Sequence, residues 1–238
     1  MLSATLPTSV AFVREHLRAP LTLVLLVTIP IFFVLLFAAV LGEFADALGG
    51  ALAQRAATSI SAGWAAAFLS GTLAFFQVSS ARGADRRLAL AGFGAIRVVA
   101  ARIAAALVLA VTVSAAAFVT LWLRSGMEHP AHAAAAILAF ALIYIGIGSA
   151  IGALVEAPLE GSLLVVLVFS VDVFSGPQMT SSGGLTAWTP TRDAADVLIA
   201  AGIAMPSPSA DWLAVTAVVL AALAAAVVAF WFVARSRL

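Results

Sequence analysis

The side chains in this 238-residue sequence that are suited to chemistry fall in three places. Glu128, His129 and His132 lie close together, and two imidazoles three residues apart can share a helix face and bind a metal ion. Asp172 stands alone within an apolar run. Positions 82 to 102 hold five of the twelve basic residues, all of them arginine, and offer a charged surface to a partner.

Several enzyme chemistries are excluded by residue type. The sequence has no cysteine, so thiolate metal sites and cysteine nucleophiles are ruled out. It has no lysine, so the G-x-x-x-x-G-K-[ST] phosphate loop is absent. We interpret positions 128–132 as a solvated external loop without metal, although a metal site is conceivable there. We therefore expect neither an enzyme nor a nucleotide-binding chain.

The elements that position these side chains are membrane helices. The sequence is 64% hydrophobic and 10% charged, with a mean hydropathy of +1.16, which is the composition of a membrane protein. Continuous apolar runs of about 20 residues favour helices over barrel strands. We predict an all-α polytopic protein with six transmembrane helices, at 20–41, 58–78, 103–123, 133–155, 161–177 and 212–234.

The arginines predict the orientation of these spans. Nine arginines fall on the side that carries the N-terminus and three fall on the other side. The positive-inside rule therefore places both termini and the loop at 79–102 in the cytoplasm. We expect a multi-pass protein of the plasma (inner) membrane, whose first apolar run is retained as an anchor.

Two further segments complete the predicted topology. Residues 1–19 contain apolar residues at helical spacing with Arg14 and Arg18 between them, which is typical of a cytoplasmic amphipathic helix at the membrane surface. Residues 178–211 form the largest external segment, too polar to span and too apolar to lie free in water. We predict short re-entrant helices there, before the last span.

Asp172 allows two interpretations. It lies three residues after Phe169, at a depth of ~18 Å in the predicted fifth span. A carboxylate there costs ~2.5–3.5 kcal/mol on insertion scales unless it faces protein or water. Either Asp172 lines a polar path or pairs across helices, or the span sits higher and the carboxylate reaches the outer headgroups.

The fourth predicted span carries Gly146, Gly148 and Gly152, the last two spaced as a small-xxx-small face. Such faces let helices approach closely in lipid. We favour packing within the chain over a contact between two copies.

Three stretches together resemble the permease subunits of type-2, exporter-like ATP-binding-cassette (ABC) transporters. Residues 14–20, with the proline at position 30, resemble the amphipathic entry and the proline-containing first span of that family. Residues 61–64, with Phe75 and Phe76, resemble its second span. The stretch from Arg82 to Leu88 resembles its cytoplasmic coupling signature, R-x-x-G-T-L-E-R-L. The sequence departs from that signature at Ala84, Asp85 and Arg86. The resemblance covers the whole of 1–238 as one transmembrane domain.

The resemblance implies a transmembrane half that pairs with a second permease subunit, as a homodimer or heterodimer, in the lipid bilayer. Two cytoplasmic ATPase subunits would bind ATP and Mg, and this chain would bind no cofactor. Alternating access would move an amphipathic or hydrophobic substrate, such as a drug or lipid, outward. The residues implied for coupling to the ATPase are Arg14, Arg18, Arg82, Gly83, Asp85, Arg86, Arg87 and Leu88.

The implied pathway lies between the two halves, at their second and fifth spans, with Phe75, Phe76, Phe169 and Asp172 beside it. Two alternatives remain open. Gly94 and Ile103 have the spacing of the cytoplasmic loop in type-1 ABC importer permeases. A secondary carrier outside the ABC class is the other alternative. The net charge of +1 gives no reason to expect a nucleic-acid partner.

Overall fold

The computed structural model of the chain describes residues 20–47, 54–88, 95–176, 189–202 and 209–236. The described parts are helical and contain no strand, which confirms the predicted all-α class. Arg14 and Arg18, with the predicted amphipathic helix, lie outside these ranges, as do 178–188 and 203–208 of the external segment. The helices are α1 (Pro20–Phe32), a π-helical turn (Phe33–Phe37), α2 (Ala38–Ala47), α3 (Gln54–Leu88), α4 (Ala95–Ser125), α5 (Pro130–Leu154), α6 (Pro158–Phe174), α7 (Arg192–Gly202) and α8 (Ser209–Ser236).

Five of the described helices are long and apolar enough to cross a membrane. Their apolar stretches are Val27–Phe44, Gln54–Ser80, Ala104–Ser125, Pro130–Leu154 and Asp211–Phe230. They correspond to five of the six predicted spans. The remaining predicted span coincides with α6, whose 17 residues measure ~25 Å, somewhat less than the ~30 Å of a hydrocarbon core. Its crossing of the membrane stays a prediction.

The centre of the bundle is the pair α3 and α5. In α3 78% of the apolar stretch is buried and in α5 67%, against 22% at α1–α2 and 17% in α8. Glycines permit the close contact: a Cβ atom on Gly148 would collide with the backbone of Gly71, and one on Gly152 would lie 2.9 Å from the carbonyl oxygen of Phe75. α4, α6 and α8 pack around this pair, and α1 and α2 lie against α3 and α4.

The helix α3 is longer than the sequence predicted. Its apolar stretch ends at Ser80, and the helix continues through the arginine-rich positions to Leu88. α4 is helical from Ala95, nine residues before its apolar stretch begins. The segment predicted as a loop at 79–102 is therefore helical at both ends, since alanine, arginine and leucine are all strong helix formers.

The first apolar run contains a wide turn. Pro30 lies inside α1, and the π-helical turn Phe33–Phe37 begins three residues later. Proline provides no N–H for the helical hydrogen-bond ladder, and π turns occur where that ladder is interrupted. The turn aligns the rings of Phe33 and Phe37, whose centroids are 5.0 Å apart.

Candidate functional site

Asp172 is the only buried acidic residue among the described residues. It is 1% exposed, and its Oδ2 accepts two hydrogen bonds of 2.8 Å, one from the Tyr144 hydroxyl and one from the Thr191 hydroxyl. Tyr144 and Thr191 are themselves buried. Two hydroxyl donors on one oxygen match an ionised carboxylate, which only accepts hydrogen bonds.

Three elements bring this polar cluster together. Tyr144 lies on α5, and Asp172 lies in the last turn of α6. Thr191 immediately precedes α7, and its carbonyl oxygen accepts the first helical hydrogen bond, from the Ala195 N–H at 2.8 Å. The carboxylate therefore sits at the N-terminal end of α7, where the helix dipole favours negative charge.

The second oxygen of the carboxylate accepts no hydrogen bond from the described residues. Oδ1 of Asp172 is buried and has no hydrogen bond within the described part of the chain. No ion pair to Asp172 occurs there either, and the neighbouring Arg192 side chain points to the exposed surface. A buried charge is normally paired, so the free oxygen marks this position as a candidate binding site.

A chain of aromatic rings leads to the carboxylate. The ring centroids of Phe33 and Phe68 are 5.9 Å apart, those of Phe68 and Phe169 are 4.9 Å apart, and those of Phe169 and Tyr144 are 6.0 Å apart. These distances are within the range of favourable aromatic pairs. The chain connects the π-helical turn, α3, α6 and α5, and it ends at the hydroxyl that donates to Asp172.

Trp64 faces the same region from α3. The contacts between α3 and α6 run in antiparallel register, with Phe75 against Gly161, Phe68 against Phe169, and Trp64 against Gly176. This register places Trp64 at the level of the last turn of α6, which contains Asp172. Its indole Nε1 is buried and, within the described residues, has no hydrogen-bond partner.

The helix α7 rises from the cluster to one end of the bundle. Its first turn lies beside Asp172, and at its other end the Ala201 carbonyl accepts a hydrogen bond of 3.2 Å from the His129 N–H. Eleven residues of helix measure ~16 Å, which is about half of the ~30 Å thickness of a hydrocarbon core. It packs against α3, α5 and α8 and buries six of its side chains.

The other residues singled out in the sequence lie elsewhere. Phe75 is fully buried against Gly152 and Gly161, whereas Phe76 is 46% exposed. Gly161 is eleven residues before Asp172, or ~16 Å along α6. The structure therefore brings Asp172 and Phe169 together and holds Phe75 and Phe76 apart from them.

The glycines of α5 and the residues predicted for coupling lie at other places in the bundle. Gly146 abuts Ala222 of α8, while Gly148 and Gly152 abut α3, so all three contact other helices of the same chain. Arg82, Gly83, Asp85, Arg86, Arg87 and Leu88 occupy the last two turns of α3.

The histidine pair lies at the end of the bundle that α7 reaches. The rings of His129 and His132 are 5.7 Å apart and both side chains are exposed. His132 also contacts Trp212, with centroids 5.8 Å apart. Within the described ranges no group of three His, Cys, Asp or Glu residues could hold a metal ion.

The sequence interpretation missed Tyr144, Thr191, Trp64 and Phe68. Tyr144 had one available signal: it is the single tyrosine of the chain and lies in the middle of an apolar helix. Its hydroxyl needs a partner when buried. Compared with known protein families and with curated proteins, the sequence matches none.

Proposed function

We propose that the chain is the transmembrane permease subunit of an ATP-driven ABC exporter of the type-2 class. The observation that carries the proposal is the unbroken helix α3. It continues for eight residues beyond its apolar stretch, or ~12 Å, and these residues include the sequence that resembles a coupling signature.

A rigid extension of this kind is suited to receiving force. α3 is the most buried apolar helix among those described and packs against α5, α4, α6 and α7. A displacement applied to its arginine-rich end would therefore move the helices that surround Asp172. The first eight residues of α4 include Arg97 and Arg102, so the sequences of the two adjoining helix ends contain five arginines.

The proposal assigns the remaining parts by the resemblance. Two copies of a cytoplasmic ATPase subunit bind ATP and Mg and dock on the arginine-rich end, with Arg14 and Arg18 beside it. A second permease subunit, identical or related, completes the pathway in the plasma membrane. Both termini are cytoplasmic, and an amphipathic or hydrophobic substrate leaves the cell by alternating access.

The first experiment tests the docking surface. The variant R86E/R87E should lower copurification with the ATPase subunit, and substrate-stimulated ATP hydrolysis, by ~10-fold or more, because it reverses two charges at the proposed interface. Membrane insertion should persist, since seven arginines remain on the cytoplasmic side against three on the other.

The matched control reverses two arginines at the opposite end of the bundle. Arg55 and Arg124 are both exposed, and R55E/R124E should leave assembly and ATP hydrolysis unchanged. Full transport by R86E/R87E would contradict the assignment of this surface. Transport by the purified chain alone, driven by an ion gradient, would overturn the ABC proposal as a whole.

A secondary carrier is the second candidate, and the buried Asp172 favours it. Ionisable residues within membrane helices are typical of proton relays and ion-coupled transport. The two candidates are separated in proteoliposomes that contain the chain without any ATPase. A carrier would accumulate substrate under an imposed proton gradient, and the exporter subunit would not.

A further inference from the structure

We infer that Asp172 and the aromatic rings around it bind a lipophilic organic cation, and that such cations are the substrate class of the exporter. The transport part of this inference rests on the proposed function. The binding part does not, because the site lies within one chain and needs no ATPase subunit.

The negative charge of Asp172 lacks a positive partner among the described residues. Tyr144 and Thr191 both donate to Oδ2 of Asp172, and Oδ1 has no partner within the described residues. Hydroxyl donors supply no net positive charge, so the negative charge of the carboxylate is not neutralised by them. A ligand that brings one positive charge to Oδ1 completes the pairing that a buried carboxylate requires.

The surroundings select an organic cation over a metal ion. Calcium and magnesium require about six oxygen ligands, whereas the described side chains of this cluster supply one carboxylate and two hydroxyls that donate to it. Tyr144 and Phe169 are in ring contact next to the carboxylate, and Trp64 lies at the same level on α3. Aromatic faces attract cations, tryptophan most strongly, and they also cover the apolar body of such a ligand.

The chain of aromatic rings indicates the direction from which the cation approaches Asp172. Asp172 and Tyr144 are closed off from solvent, while Phe33 and Phe68 are half-buried at the outside of the bundle. Phe68 contacts Phe169, which contacts Tyr144. A cation with an apolar body, already concentrated in the lipid, would exchange one aromatic contact for the next on its way to the carboxylate.

The test measures saturable binding of tetraphenylphosphonium to the purified chain in maltoside micelles by equilibrium dialysis. The matched probe is tetraphenylborate, which has the same four phenyl groups and the opposite charge. We expect saturable binding of the cation and none of the anion. D172N, which is isosteric, should weaken cation binding about thirtyfold or more, because it removes one partner of a buried charge pair.

Two further variants distinguish a specific loss of cation binding from a general folding defect. F169L removes an aromatic face but no polar group, and it should weaken cation binding about fivefold. D211N removes a half-buried acidic group at the start of α8 and should leave binding unchanged.

The following outcomes would overturn the inference: no saturable binding of the cation, equal binding of both probes, or unchanged cation affinity in a folded D172N or F169L protein. If the chain binds the cation but assembles with no ATPase subunit, the result would support the binding site and contradict the proposed exporter function. If the chain assembles with an ATPase subunit but does not bind the cation, the result would contradict the binding site and leave the proposed exporter function standing.

Discussion

The close contact between α3 and α5 yields a sharp prediction for Gly148→Ala. The new Cβ atom would collide with the carbonyl oxygen of Gly71, and it would also lie 2.8 Å from the carbonyl carbon and 3.0 Å from the Cα atom of that residue. Ordinary contacts of a Cβ atom begin at 3.4 Å. The two helices must therefore separate by more than ~0.6 Å, because the carbonyl oxygen lies nearer than the carbonyl carbon and the backbone cannot rotate away.

The expected loss in the free energy of unfolding follows from that separation. A gap of ~0.5–1 Å already forfeits a quarter to a half of the dispersion attraction between facing atoms, and overpacking of this kind typically costs ~1–3 kcal/mol. Replacing glycine by alanine in a helix returns ~0.5–1 kcal/mol through backbone entropy. We expect a net loss of ~1–2 kcal/mol in the free energy of unfolding.

The assay is reversible unfolding by SDS in mixed micelles, followed by tryptophan fluorescence. Gly42→Ala is the matched control, because it makes the same substitution inside a helix and its Cβ atom would have its nearest neighbour at 3.7 Å. The control should be neutral or stabilised. Equal stability of the two variants would refute the close approach of α3 and α5.

Two further predictions concern the polar groups near α7. Tyr144→Phe and Thr191→Val should each lower the free energy of unfolding by ~0.6–1.7 kcal/mol. The double variant should lose more than the sum of the two, because Asp172 then has no hydroxyl donor. Additive losses in SDS unfolding would contradict a shared acceptor. Burial raises the pKa of Asp196, so the folded state binds its proton more tightly than the unfolded state does. This contribution to stability is full below the ordinary pKa of 3.8 and is lost as the pH rises through the pKa of the folded state. The difference in the free energy of unfolding between the wild type and Asp196→Asn should therefore change over that pH range. A difference that does not depend on pH would count against the burial of this group.

The helices were predictable because each apolar run carries its own signal. The five spans fall where about 20 apolar residues occur together, and hydrocarbon leaves the backbone little choice but helix. The arginines after Ser80 indicate where α3 leaves its apolar stretch, and they do not indicate the residue at which the helix ends. Its continuation to Leu88 depends on local helix propensity.

The candidate site was predictable only in part. Asp172 was evident as an isolated charge in an apolar run. Its partners are 28 residues earlier and 19 residues later in the chain, and nothing in the local pattern of either segment indicates the pairing. Thr191 becomes a partner only because α7 packs between α3, α5 and α8, an arrangement set by tertiary contacts.

The short length of α7 makes the two halves of the bundle unequal. The helix begins beside Asp172 and fills one half, so among the described helices that half contains one more helical cross-section, ~10 Å wide, than the other. We expect a bundle of this form, placed in a bilayer, to displace more lipid from one leaflet than from the other and to act as a wedge. Its stability should then depend on membrane curvature and on the size of the lipid headgroups.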